Sequence, residues 1–336
     1  MTRIRFGYKA SAEQFSPADL LQFAVAAERA GFDSVFTSDH LQPWRHHGGH
    51  APAALPWLGA LAASTSAVHI GTSVLTPTLR YHPAVIAQAF ATLGLLAPGR
   101  VILGLGTGES MNEAPLGRAW PSGRERLDRL REAVELIRAL WDRERVTFEG
   151  EYYRTDRATV YDRPEVPVPI YLAASGPRAT RSAGELGDGF ITTSGKGAGL
   201  YTGTLLPALA EGAAAAGRSA ADLDLMMEVK VSFDPDLSHA REATRYWGAL
   251  ALSPEEKTGV SDPVEMERLA DALPTERTVT RWIVSNDPEH LAEQIWSYVD
   301  MGFTHLVFHD PDPDQHRFLD AFGSRVLPLL HARAGR

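Results

Sequence analysis

Short apolar runs and amphipathic stretches alternate along this chain from its start. IRFGYK has the length and character of a strand. SPADLLQFAVAAERAGF then reads as a helix, with Ser16 as cap, Pro17 at the first helical position and Gly31 as the stop. SVFTS, AVHIGTSVL and RVILGLGTGE are the next three strand-like runs. LPWLGALAASTS and HPAVIAQAFATLGLLAPG are the helices between them, the second closing on Pro-Gly. A strand-then-helix order repeated in this way predicts parallel strands with right-handed crossovers.

The rhythm continues with larger excursions. GRERLDRLREAVELIRALW carries Leu127, Leu130, Val134, Ile137 and Trp141 along one helical side. VPIYLAAS, DGFITTS, DLMMEVKVSF and THLVFHD supply strands five to eight. The polar, tyrosine-rich stretch 143–167 predicts an inserted flap or hairpin. A longer insertion, about 234–300, contains several helices, and RWIVSND adds a short extended piece. No composition shift marks a linker, so residues 1–336 are expected to form one domain. Eight strands separated by helices predict an α/β fold, a (β/α)8 TIM barrel with insertions. A doubly wound open sheet is the alternative, since helices cover the strands in either case.

Composition narrows the partners. Apolar residues make up 44% of the 336, ample for a large core, and the formal net charge is −9. An acidic chain gains nothing by approaching a phosphate backbone, so no nucleic acid is expected as partner. The absence of cysteine excludes disulfides, thiolate metal sites and cysteine nucleophiles. MTRIRFGYKA has no apolar signal region, and no apolar run reaches about 18 residues, so the expectation is a soluble cytoplasmic protein without a membrane partner.

Polar chemistry gathers where the predicted strands end. Lys9 and Ser11 end the first, Asp39-His40 the second, Ser73 and Thr76 the third, and Thr107-Gly108-Glu109 the fourth, with Asn112 beyond. Ser175-Gly176, then Thr193 and Lys196, then Lys230 follow on strands five to seven. In a barrel these ends share one mouth, which can hold an acid and a base on opposite sides of a substrate. His40 is the candidate general base, and a packed strand-end histidine is its structural counterpart. Glu109 follows GLGTG, whose glycines allow a ligand close to the backbone, and it equally suits a helix start. GLGTGE is not a dinucleotide fingerprint, because Glu109 stands where the third glycine should be. Asp39-His40 and His46-His47-His50 match no strong zinc spacing, so no metal is expected. Trp44 is either an aromatic wall or ordinary packing. Lys196, among glycines, is a candidate anion ligand or a solvated loop lysine. Lys257 and Arg281 are ordinary surface charges by local sequence.

Taken together, GYKASAEQF, SDHLQPWRHHGGHAP, GTSVLTPTLRYHPAVIAQAFATL, GLGTGE, DGFITTSGKG and ADALP resemble the coenzyme F420-dependent glucose-6-phosphate dehydrogenases of the luciferase-like superfamily. The likeness covers almost the whole chain. It implies a (β/α)8 barrel, commonly a homodimer, using F420 or flavin mononucleotide. Here it implies oxidation of glucose 6-phosphate at its anomeric carbon to 6-phosphogluconolactone, with hydride passing to C5 of F420. His40 would remove the hydroxyl proton, Glu109 would protonate or stabilise N1 of the ring, and Trp44 would orient the sugar. Asp39 would bind the deazaflavin, with Ser73, Val74 and Thr76 along its ring and a non-proline cis peptide at Ser73-Val74. Thr107, Gly108 and Asn112 would line the cofactor, and Ser175, Gly176, Arg178 and Ala179 its phosphate-bearing tail. Thr193, Lys196, Lys257 and Arg281 would bind the sugar phosphate. The family usually has two glycines where this chain has Ser175-Gly176, which bears on tail length. Dehydrogenation of another sugar 6-phosphate, flavin-dependent monooxygenation and non-catalytic cofactor binding stay open as alternatives.

Overall fold

The computed structural model describes residues 3–335. Its strands, in chain order, are β1 (Arg5–Ala10), β2 (Ser34–Thr37), β3 (His69–Thr72), β4 (Val101–Leu105), β5 (Val146–Glu149), β6 (Arg154–Ala158), β7 (Ile170–Ala173), β8 (Gly189–Thr193), β9 (Asp224–Phe233), β10 (Ile283–Ser285) and β11 (His305–His309). The main sheet runs β10-β9-β11-β1-β2-β3-β4-β7-β8, and β8 pairs back onto β9. That last pairing closes the ring, so this is a (β/α)8 barrel and not an open sheet. All pairings within it are parallel, and β10 hangs on β9 outside the closed ring.

Alternation along each strand builds the barrel. Phe6, Tyr8 and Ala10 of β1 are wholly buried in the shell between strands and helices. The opposite side chains fill the interior in layers. Arg5, Asp224 and His305 lie at the bottom, where Asp224 contacts both of the others. Phe36, Ile102, Tyr171, Ile191, Met226 and Val307 form an apolar middle layer. Lys9, Glu228, Lys230 and His309 stand at the top. Gly7 belongs to the middle layer because nothing larger fits: a Cβ there would lie 2.2 Å from Ser34 Oγ.

The helices begin and end where the sequence signals them. Ser16 Oγ accepts from Asp19 N–H, Pro17 opens helix Pro17–Arg29, and Gly31 follows at φ +94°. Helix Gly123–Asp142 buries Leu127, Leu130, Val134 and Ile137. Strands three and four are shorter than expected. The ladder of β3 stops at Thr72, the chain bulges through Ser73-Val74, and Leu75 rejoins by a single bridge to Leu105. The two insertions take the predicted forms. Stretch 143–167 holds the antiparallel hairpin β5–β6, and 234–300 holds helices plus β10. Trp57 and Trp141 lie inward. Trp57 is 5% exposed, and its indole donates to Pro17 O, while Trp141 donates to Ala87 O. Their apolar faces complete the core between adjacent helices. No described helix is long and apolar enough to cross a membrane.

Candidate active site

A cavity of about 510 Å3 opens at the carboxyl ends of the barrel strands. Its floor is the top interior layer. Lys9 Nζ lies 3.2 Å from Glu228 Oε2, and Lys230 Nζ lies 3.4 Å from Glu228 Oε1. Burial alone would raise the Glu228 carboxyl, but the ammonium groups of Lys9 and Lys230 hold it well below the usual carboxylate range. Lys9 Nζ also donates to Ser73 O and Ser73 Oγ, each at 2.7 Å. It therefore ties the strand-three bulge, whose Ser73-Val74 peptide is cis, to the barrel floor.

His40 and Glu109 meet at this mouth although 69 positions separate them in the chain. His40 Nε2 is 3.5 Å from Glu109 Oε2 and 3.2 Å from Glu13 Oε1. The acid and base thus stand side by side and not on opposite walls, because both carboxylates converge on one imidazole. His40 Nδ1 is 3.3 Å from Gln42 O, which accepts if that nitrogen carries the hydrogen. Nε2 then faces both carboxyl groups. Burial would raise Glu13, but His40, Lys9 and the Ser38 hydroxyl bring it below its ordinary value. Glu109 goes the other way. Desolvation raises it, and the nearby Glu13 charge adds to this against the opposing pull of His40. Its side chain is 47% exposed, but it opens into the cavity and not onto the outer surface. The pair is polarised: Glu13 is the readier to be an anion and Glu109 the readier to keep a proton.

The loop after β2 is held firmly. Asp39 Oδ1 accepts from Ala54 N–H, at the start of the next helix, and Arg80 Nη2 donates to Asp39 Oδ2 at 2.5 Å. Asp39 borders the cavity, yet its carboxylate is occupied by protein donors. Asn112 Oδ1 accepts from Leu41 N–H and Gln42 N–H, at 2.8 and 3.2 Å. Trp44 is half-buried, with its ring 5.9 Å from that of His40.

Between the third- and fourth-strand ends lies a slot that glycines keep open. A Cβ on Gly106 would fall 2.6 Å from Val74 Cγ2, and one on Gly108, at φ +83°, would fall 2.8 Å from Thr76 Cγ2. Ser73, Val74, Thr76, Thr107 and Asn112 complete this part. Ser175, Gly176 and Ala179 lie at the amino end of helix Pro177–Leu186, whose free N–H groups suit an anion. Arg178 is exposed on the same turn and does not line the cavity.

Opposite the slot, Thr193, Lys196, Lys230, Lys257 and Arg281 share one wall. The long insertion delivers Lys257 and Arg281 to it. Lys257 Nζ sits 5.1 Å from the Trp44 ring centroid, and Arg281 Nη1 donates to Gly195 O. Desolvation, then repulsion from Lys230 and Arg281, brings Lys196 down to about 8. Lys257 is lowered by burial too, with Glu109 opposing and Arg281 reinforcing. Like charges gathered this closely call for an anion between them.

Several lining residues escaped the sequence reading. Glu13 lies three positions beyond the end of β1, so the strand-end argument that selected Lys9 and Ser11 could have reached it. Glu228 and His309 belong to the inward alternation of β9 and β11, visible only once the facing side is known. Arg80, Glu113 and Trp247 carry no local signal. Glu113 is fully buried, and among the described residues neither carboxylate oxygen has a hydrogen-bonding partner. Among the described residues, the cluster with metal-like spacing is Asp234, His239 and Asp312, away from this cavity. Arg317 already binds both oxygens of Asp234.

Comparison with known proteins agrees with this geometry. The luciferase-like monooxygenase family model matches residues 1–305. The chain belongs to that luciferase-like family, within its branch of F420-dependent glucose-6-phosphate dehydrogenases. It is 72% identical to an F420-dependent glucose-6-phosphate dehydrogenase of Beutenbergia cavernae, over 98% of each chain. It is 66% identical to another of that description from Nakamurella multipartita, over 99% of this chain and 98% of that one. Among solved structures, an F420-dependent secondary alcohol dehydrogenase in complex with an F420-acetone adduct is 35% identical. It superposes with a TM-score of 0.92, covering 98% of this chain and 99% of that one.

Proposed function

We propose that this protein is an F420-dependent dehydrogenase that oxidises glucose 6-phosphate to 6-phosphogluconolactone. The observation that carries the reading is the juxtaposition, in one cavity, of the Glu13–His40–Glu109 cluster with the Lys196, Lys257 and Arg281 wall. The glycine-kept slot fits a flat ring, since a side chain at Gly106 or Gly108 would collide with Val74 or Thr76. Ser73, Val74, Thr76, Thr107, Gly108 and Asn112 would hold the ring, and Ser175, Gly176 and Ala179 the phosphate of the tail. Arg178, just outside, suits a longer anionic tail. Asp39 acts through Arg80 and Ala54, shaping the slot from behind. F420, when bound there, supplies the hydride acceptor at C5 of its deazaflavin.

His40 takes the proton of the anomeric hydroxyl as hydride leaves the anomeric carbon, and the bond left behind becomes the lactone carbonyl. Glu13, kept as a carboxylate, orients the imidazole and stabilises the charge it gains. Glu109, whose protonated form desolvation favours, supplies a proton or hydrogen bond on the cofactor side. Trp44 walls the sugar beside His40. Lys196, Lys257, Arg281 and Thr193 hold the phosphate, and so align a carbon remote from it.

The test follows F420 reduction by its absorbance with glucose 6-phosphate, its epimers, unphosphorylated glucose and propan-2-ol. Preference for a sugar phosphate, scored as kcat/KM, is expected. A simple alcohol as the better substrate would overturn the assignment. A homodimer is the assembly this reading favours, supported by exposed Leu95 and Leu96 at the end of helix Pro83–Leu96. Light scattering giving one chain mass at all concentrations would reject it.

A further inference from the structure

The loop after β2 and the long insertion meet at one buried carboxylate. Glu267, on helix Pro263–Asp271, is 8% exposed. Its Oε1 accepts from Arg45 Nη2 at 2.7 Å. Its Oε2 accepts from the backbone N–H groups of His46 and His47, each at 3.1 Å, and lies 3.0 Å from His47 Nδ1. A buried carboxylate is costly unless donors satisfy it, and charge-assisted bonds of this kind are the strong ones. This cluster lies outside the cavity, yet Trp44, the residue before Arg45, is inside it.

The surroundings give the contact a direction. The first half of the loop is held from the barrel side, by Asn112 at Leu41 and Gln42 and by Arg80 at Asp39. The second half is held from the insertion. Trp44 packs on the small core of Ala249, Leu252, Met266, Ala270 and Leu273. Met266 and Ala270 share the helix of Glu267. The same insertion carries Lys257, whose ammonium stands over the Trp44 ring.

We propose that Glu267 is a positioning residue, clamping the loop to the insertion so that Trp44 is set between His40 and Lys257. The proposal rests on the function given above and deepens it: one carboxylate registers the reacting end of the sugar site against its phosphate end. Asp271, which touches Arg45 at 3.2 and 3.3 Å from a side chain 51% exposed, is the peripheral partner and serves as control.

The experiment compares Glu267→Gln, Trp44→Phe and the double variant. In Glu267→Gln, kcat/KM for glucose 6-phosphate should fall about tenfold to a hundredfold, as for a misplaced catalytic wall. The F420 dissociation constant, from a fluorescence titration without sugar, should stay within about twofold, because the slot lies on the barrel side. In the Trp44→Phe background, the further loss from Glu267→Gln should shrink markedly, since both changes act through one ring. Asp271→Asn should stay within about twofold, as for an exposed ion pair. Arg45→Lys, which keeps the charge and loses the fork, gives a milder probe if Glu267→Gln does not fold, and its loss should shrink in the same background. Equal fold-losses in both backgrounds, or an unchanged kcat/KM, would overturn the clamp. A second readout needs no turnover. The Trp44 component of acrylamide quenching, taken in each background as the protein minus its Trp44→Phe counterpart, should rise from wild type to Glu267→Gln. If it does so while glucose 6-phosphate reduces no F420, the clamp stands and the substrate assignment falls. If it does not change, the clamp falls whatever the substrate.

Discussion

The two ends of the barrel interior bury the same kinds of side chain to opposite effect. At the bottom, Arg5, Asp224, Tyr171 and His305 form a network that closes on itself. Tyr171 OH donates to Asp224 Oδ2 at 2.6 Å, and Thr304 Oγ1 donates to Oδ1 at 2.7 Å. His305 Nδ1 lies 3.0 Å from Asp224 Oδ2, and its Nε2 lies 2.7 Å from Ser34 Oγ. A neutral imidazole satisfies both, donating to the acid and accepting from the serine. Arg5 completes the balance by pairing with Asp224. At the top, Glu228 faces Lys9 and Lys230, with Lys196, Lys257 and Arg281 beyond. His309 Nδ1 stands 3.7 Å from Glu228 Oε1, and among the described residues its Nε2 and Arg281 Nε have no hydrogen-bonding partner. A polar network whose charges cancel stabilises; one left open, with excess charge of one sign, stores that imbalance for a ligand.

The contrast predicts that damage at the top costs turnover and damage at the bottom costs stability. The largest effect is expected at His40. His40→Ala should lower the hydride-transfer rate by about 10²- to 10⁴-fold, the range for a lost general base, with little change in Tm. Stopped-flow absorbance across pH checks this; an unchanged rate would remove the base assignment.

Asp224→Asn should reverse the pattern. Removing the charged partner of Arg5 in this part-buried pair, whose side chains are 21% and 12% exposed, should cost less than the roughly 3–5 kcal/mol of a fully buried one, on the order of 1–3 kcal/mol. Urea unfolding would record it, while kcat of the folded fraction should stay near wild type. Acid should find the same weakness. Despite burial, His305 and Arg5 hold the Asp224 carboxyl below its usual range. Such a group stabilises above its unfolded pKa, about 4, and loses that contribution as pH falls through the folded value. Burial, with Arg5 next, lowers nearby His69 to about 4. Its unfolded form takes up protons first, so stability falls as pH drops from about 6.5 towards 4. Both signs agree, and a stability profile flat from neutrality down to acid would contradict them.

At the top wall, Arg281→Ala should reduce kcat/KM for glucose 6-phosphate by about tenfold to a hundredfold, with little effect on unphosphorylated glucose. Arg281→Lys should be impaired as well, since its planar fork is lost. Equal losses on both substrates would mean that the wall does not read phosphate.

The smallest effect is a pH dependence. Lys196, brought to about 8 by burial and its cationic neighbours, is charged below that pH and neutral above it. Phosphate binding should therefore weaken above pH 8, by at most about tenfold per pH unit, and KM should show it before kcat. For the free protein the sign is opposite. A lysine held below its unfolded value is a liability below pH 8, and stability recovers as pH rises from there towards about 10.4. Lys196→Met should accordingly raise Tm slightly, the signature of a site that trades stability for binding.

Much of this architecture is written locally. Apolar runs ending in polar residues marked the barrel strands, Ser16-Pro17 and Gly31 marked the first helix, and the strand-end argument brought His40, Thr107, Glu109 and Thr193 to one mouth. Strands three and four are shorter than their apolar runs, because the bulge at Ser73-Val74 and the end of β4 at Leu105 fall inside those runs with no local stop. Lys257 and Arg281 showed nothing in their own neighbourhoods. The family resemblance alone singled them out, and the insertion that swings them over the cavity supplies the reason.

What the sequence by itself determined is therefore periodic: which segments are strands or helices, which faces are apolar, and which polar residues stand at strand ends. Those properties depend on a few neighbouring residues and on the 2.0 and 3.6 repeats of the backbone. Only the tertiary structure decided that Glu13 and Glu109 share one imidazole, that Glu228 faces Lys9 across the barrel floor, and that Glu267 grips the loop of Trp44. Those pairings join residues tens to hundreds of positions apart. They exist because the β8–β9 pairing closes the ring and the insertion folds across its mouth, setting distances and burial that no local pattern carries.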